Sequence, residues 1–119
     1  MKIKNISEIE ALSQTIITFE RIVGYSNSQY EYFGSFVGLK CYANPILNIY
    51  TSSCALCHYY LAVKGSTCDK CPLKSCGRGP YNKAKVNFSE GDFNGMRKAC
   101  LEIISKCQHR MQELEEEHD

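Results

Sequence analysis

No stretch of this chain approaches the roughly 20 consecutive apolar residues that a membrane-crossing helix needs, so no membrane-spanning segment is expected. The opening Met1-Lys2-Ile3-Lys4 is basic, but Ser7, Glu8 and Glu10 interrupt where the apolar core of a secretory signal would lie, which argues against export and for the cytoplasm. Catalytic signatures are also missing: there is no glycine-rich phosphate loop, no His-Glu-x-x-His and no serine–histidine–aspartate order. A non-enzymatic protein is therefore expected. Internal repeats and long linkers are lacking too, and 119 residues suit one domain spanning 1–119 with one modest core.

Net charge is nearly absent, at +1, yet the charges are sorted along the chain. The first 53 residues balance to zero, residues 54–85 carry a net of +5, and residues 86–119 carry a net of −4. A basic middle and an acidic end can attract each other or meet different partners.

What is abundant is cysteine. Five of the eight (Cys54, Cys57, Cys68, Cys71 and Cys76) fall within 23 residues. In a reducing compartment such clustering points to metal or redox chemistry rather than a disulfide framework. Cys54-Ala55-Leu56-Cys57 and Cys68-Asp69-Lys70-Cys71 are two pairs at the two-residue spacing that turns both sulfurs toward one ion, and two pairs complete the tetrahedral thiolate shell of structural Zn2+. Four ligands must come from six candidates. The first set is Cys54, Cys57, Cys71 and Cys76, and the rival set replaces Cys76 with Cys68. His58 reads as a polar neighbour, because adjacent residues rarely reach one ion together. An iron–sulfur cluster and thiol redox chemistry are the alternatives: Cys71-Pro72 is shared with ferredoxin-type runs, and basic neighbours lower a thiol pKa. Cys41, Cys100 and Cys107 stand apart and read as small core hydrophobes.

The remaining pattern predicts an α+β fold in which N- and C-terminal helices flank a short β-hairpin and a knuckle over about 54–81. Ser7 and Glu10 form a capping-box pair, and Ile9, Leu12, Ile16, Phe19 and Val23 mark a helix that stops near Gly24. Phe33, Val37, Leu39 and Cys41 share one parity in an aromatic-rich run, which predicts a strand over 31–42. Ala43-Asn44-Pro45 is a turn signal, and 46–50 is read as the second strand. Residues 54–85 lack regular periodicity. Ser89 and Asp92 at capping-box spacing, with Phe93, Met96, Cys100, Ile103, Cys107 and Leu114 behind them, predict a helix over about 90–114, its near-heptad rhythm broken by Arg110. Acidic residues crowd the end of that helix, so the tail from about 113 to 119 is expected to fray.

The succession Cys54-Ala55-Leu56-Cys57-His58-Tyr59, Cys68-Asp69-Lys70-Cys71-Pro72-Leu73, Cys76 and Gly79-Pro80-Tyr81 resembles small cysteine-rich proteins of bacteriophages and prophages. The likeness covers about a third of the chain and departs in the short gap from Cys71 to Cys76. It implies a mobile-element origin and a metal site, and supplies no activity.

Two kinds of partner follow. Lys64, Lys70, Lys74, Arg78, Lys83 and Lys85 surround the knuckle, and Tyr59, Tyr60 and Tyr81 are rings that can stack on bases, a pattern that suits nucleic acid. The preferred reading is an accessory factor that occupies a host or phage protein or a small ligand, such as a signalling nucleotide captured in counter-defence. Its recognition surface would be Tyr25, Tyr30, Tyr32, Phe33 and Phe36, unless those rings pack inward. The last helix offers a homodimer contact if its apolar face is not satisfied within the monomer.

Overall fold

The computed structural model of the chain describes residues 6–49, 55–57, 59–60 and 79–117, of which 48, 49 and 57 are described by backbone alone. In order these residues form α1 (Glu8–Gly24), α2 (Asn27–Tyr32), α3 (Phe36–Ala43), a 3-10 helix (Pro45–Ile49), α4 (Ala55–Cys57), α5 (Pro80–Glu90) and α6 (Phe93–Glu117). Among the described residues there is no strand, so the expected α+β class with a hairpin is replaced by an all-helical architecture.

The correction has a local cause. Ser26 and Ser35 each accept a hydrogen bond from the backbone N–H three residues on (Gln29 at 3.3 Å, Gly38 at 3.0 Å), so α2 starts ahead of the supposed first strand and runs into it, and α3 starts inside it. Gln29 also accepts from the Ser26 N–H at 2.9 Å, completing a capping box. In α3 the buried residues are Phe36, Leu39, Lys40 and Ala43, a helical spacing, whereas Val37, assigned inward by strand parity, is 45% exposed. The second expected strand is the 3-10 helix opened by Pro45, whose fixed φ suits a helical start; Tyr50, its expected last residue, lies outside the described residues.

Helix α1 begins and ends where the sequence places it. Ser7 Oγ accepts from the Glu10 N–H at 3.0 Å, and the helix closes at Gly24. Its buried face is rotated from the expected stripe: Ala11, Leu12, Thr15, Thr18, Phe19 and Ile22 are inside, while Ile9 is exposed. Two threonines enter the core because their hydroxyls donate back to the carbonyls of Ala11 (2.9 Å) and Gln14 (2.7 Å), which removes the cost of burying them.

Helices α5 and α6 form a hairpin. The span expected to be aperiodic up to 85 already contains α5, with Pro80 in its first turn and Pro80, Ala84 and Phe88 buried at four-residue steps. Gly91 ends it at φ +80°, the left-handed conformation that glycine adopts without strain. The chain reverses there, so Asp92 rather than Ser89 starts α6: its carboxylate accepts from the Gly95 N–H at 3.0 Å, while Ser89 donates to the Lys85 carbonyl inside α5. Phe88 and Phe93 meet across the turn, ring centroids 6.1 Å apart.

The core lies where α6 packs on α1 and α5. The expected positions Met96, Cys100, Ile103, Cys107 and Leu114 are buried, together with Ala99 and Ile104, so the apolar face of α6 is taken up within the chain. Helices α1 and α6 run antiparallel: Glu8 in the first turn of α1 meets Arg110, and the Tyr25 carbonyl just past α1 meets Arg97. Asn44 ties the end of α3 to α1, its buried amide donating to Gln14 Oε1 (2.8 Å) and Thr18 Oγ1 (3.1 Å). Among the described residues no helix is long and apolar enough to cross a membrane.

Candidate functional site

Cys54, Cys68, Cys71, Cys76, His58, Lys64, Lys70, Lys74 and Arg78 lie outside the described residues, as does the side chain of Cys57, whose backbone closes α4. Both ligand sets and most of the knuckle therefore fall outside them. Among the described residues no three His, Cys, Asp or Glu side chains are grouped to hold a metal. Of the other cysteines, Cys100 and Cys107 are in the core as expected, and Cys41 is half-buried on α3 rather than on a strand. Burial in apolar surroundings pushes the Cys100 thiol up to about 12, which keeps it protonated and inert.

The aromatic residues separate into two groups. Tyr60 is buried, and its hydroxyl donates to the Glu8 carboxylate that also holds Arg110. Tyr59 packs edge-on against it at 4.8 Å; burial raises its phenol pKa, the Glu8 charge adds to this, and Arg110 opposes it. Tyr81, the tyrosine of the Pro-Tyr pair, sits edge-on to Phe36 at 5.9 Å and to Phe19 at 6.5 Å. Lys40, 1% exposed, donates to its hydroxyl with the ammonium 4.4 Å from the ring centroid, a cation–π contact. Tyr60 and Tyr81 are thus committed to packing. Lys83 and Lys85 are exposed on α5.

In the run from 25 to 36, Tyr30 and Phe36 are core residues. Tyr30 donates to the Ile22 carbonyl and accepts from Arg97 Nε at 3.1 Å; burial raises its pKa and Arg97 partly offsets this. The other rings form a surface. Tyr32 is 84% and Tyr42 is 56% exposed, with Phe33 half-buried between them. Phe33 lies 4.9 Å from Tyr42 and 5.2 Å from Tyr32, and Tyr25 lies 5.8 Å from Tyr42. Burial, then the neighbouring Tyr42, raises the Tyr25 pKa, and Arg21 lowers it.

Tyr32, Phe33 and Tyr42, with Ser28 and Gln29, line an open cleft of about 440 Å³ between α2 and the end of α3. The interplanar angles are 83° for Tyr32–Phe33 and 45° for Phe33–Tyr42, so the rings present angled walls rather than a parallel slot. Apolar faces with phenol, hydroxyl and amide groups at the rim suit a bulky apolar or aromatic guest with polar edges. Tyr42 was missed at the sequence level because strand parity placed it opposite Cys41. Read at helical spacing, it falls away from the buried Phe36, Leu39, Lys40 and Ala43. Compared with known protein families, curated proteins and solved structures, the chain matches none of them.

Proposed function

We propose that this chain is a small non-enzymatic binding protein that occupies a protein partner or small ligand through the Tyr32–Phe33–Tyr42 surface. The observation that carries this is the contiguity of the exposed rings: single exposed apolar residues are ordinary, but a connected cluster around a cleft marks an interaction site. The frame suits the task, since capped helices hold the rings and little ordering entropy remains to be lost on binding. By its resemblance to phage and prophage proteins, the partner belongs to a bacterial host or to the phage itself. The cysteine spacing supports a structural Zn2+ in the segment 54–76 that completes the domain.

Nucleic-acid binding has less support, because two of the three rings offered for stacking, Tyr60 and Tyr81, are tied into the core.

The test is affinity capture from a bacterial host lysate with wild type and with a Tyr32→Ser/Tyr42→Ser double variant, both checked for equal helical content. A species retained by wild type and lost by the variant supports the reading; identical retention by both removes it. For the metal, elemental analysis of reduced protein should give one zinc per chain with no visible absorption. Brown colour would assign iron–sulfur instead, and pairwise S–S bonds would rule out both.

A further inference from the structure

Phe33, which lines the Tyr32–Tyr42 cleft, also lines a second one, of about 290 Å³, at the α5–α6 turn. The half-buried Phe33 and Phe93 line it, together with Phe88 and Tyr30, which are buried; Tyr30 and Phe93 lie 5.1 Å apart. Its polar lining comes from Glu31 and Ser89, and Gly91 closes it at the C-terminal end of α5. The geometry points to a binding site for a guanidinium group, the side-chain head of an arginine on the partner. This rests on the binding surface proposed above and adds a charge requirement to it.

Three features converge on a cation. Glu31 is the one charged residue between Tyr25 and Leu39, and it is exposed. The C-terminal end of α5 at Gly91 and the N-terminal end of α6 at Phe93 both reach the opening, so their dipoles offset, and Glu90 and Asp92 on either side of Gly91 leave the turn acidic. The half-buried rings of Phe33 and Phe93 add attraction for a cation lying on a ring face. The shape favours guanidinium over ammonium: a planar, weakly hydrated ion stacks on rings and still directs donors to a carboxylate and a hydroxyl, whereas an ammonium keeps its water. The chain already contains such a contact, with the Arg97 guanidinium 4.9 Å from the Tyr30 centroid. Arg97 does not line the cleft; it donates to the Tyr25 carbonyl and the Asn27 side chain, both at 2.9 Å. An anionic guest would meet Glu31 and the acidic residues of the α5–α6 turn.

The experiment is an NMR titration of the full isotope-labelled chain with N-acetyl-arginine methylamide, following the amides of Gly34, Ser89 and Gly91. Saturable shifts are expected there. They should weaken at least fivefold when the uncharged citrulline analogue replaces arginine, and by a similar factor in Glu31→Gln, an exposed position whose replacement leaves the fold intact. Equal binding of citrulline, no effect of Glu31→Gln, saturable shifts with adenosine monophosphate in place of arginine, or no saturable shift would each overturn the proposal. Tyr32→Ser/Tyr42→Ser should leave the arginine shifts unchanged. A failed arginine titration alongside partner loss in that double variant would sink the cation site alone; the opposite result would sink the aromatic surface alone.

Discussion

Arg110 and Glu8, 102 residues apart in sequence, clasp one end of the antiparallel α1–α6 pair: Nε lies 2.8 Å and Nη2 3.5 Å from the carboxylate oxygens. The same carboxylate accepts from the Tyr60 hydroxyl, so one group joins α1, α6 and the chain after α4. Arg110 is the residue that interrupts the apolar rhythm of α6, and the break is the position where a polar link replaces a buried side chain. The Glu8 hydrogen bond raises the guanidinium pKa, burial opposing it, so the arginine stays charged. On its outer side Arg110 also lies 3.8 Å from Glu113 and 3.9 Å from Glu117, partly balancing the acidic end of α6.

Replacing Glu8 by Gln should lower stability by about 1–3 kcal/mol, the usual range for removing the ionic partner of a largely buried group. A double-mutant cycle with Arg110→Gln, followed by urea unfolding, should give a coupling energy of about 1 kcal/mol. Additivity within about 0.3 kcal/mol would show that the pair carries no interaction of its own.

Two glycines should respond oppositely to alanine. Gly91→Ala forces a Cβ into the left-handed region at φ +80° and should cost about 1–2 kcal/mol. Gly24→Ala, with open space around the added methyl and no positive φ, should stabilise α1 by up to about 1 kcal/mol. Paired denaturant curves with unchanged slopes would establish both signs.

Asp92→Ala removes the acceptor for the Gly95 N–H and should cost about 0.5–2 kcal/mol, whereas Ser89→Ala should be close to neutral. If the serine variant proved the more damaging by thermal melt, the assignment of Asp92 as the cap of α6 would be wrong.

Cys100 should resist maleimide at pH 8 in the native chain and react fully once unfolded, because its thiol is held up to about 12. Peptide mass spectrometry reads this directly, and native labelling of Cys100 within minutes would contradict its place in the core.

Alkali should destabilise the fold. Tyr25, Tyr30 and Tyr59 all have raised pKa values, so above about pH 10 the folded chain holds phenolic protons that the unfolded chain releases. Stability contributed by the neutral phenols is complete below the unfolded value and falls as pH rises through the folded ones. Tyr30→Phe should flatten the decline above about pH 10, as followed by circular dichroism; an unaltered slope would remove Tyr30 from the account.

The two ends of the chain were legible in the sequence because their information is local. Ser7 and Gly24 bound α1 by capping and backbone entropy, and the repeat of Met96, Cys100, Ile103 and Cys107 identifies the buried face of α6 without reference to any neighbour. The middle was misread because a short aromatic run fits a half-buried strand as readily as a helix, and the outcome depended on Ser26 and Ser35, whose capping role appears only with the backbone in place.

Tertiary structure alone decided which rings are buried and which are displayed. Tyr30 and Tyr32 are the same residue type two positions apart, yet one hydrogen-bonds inside the core and the other stands in solvent. Helical spacing turns them to different faces, and only one of those faces meets α6. The link from Glu8 to Arg110 and the two clefts that share Phe33 exist because distant helices pack together, and such long-range proximity leaves no mark on local spacing.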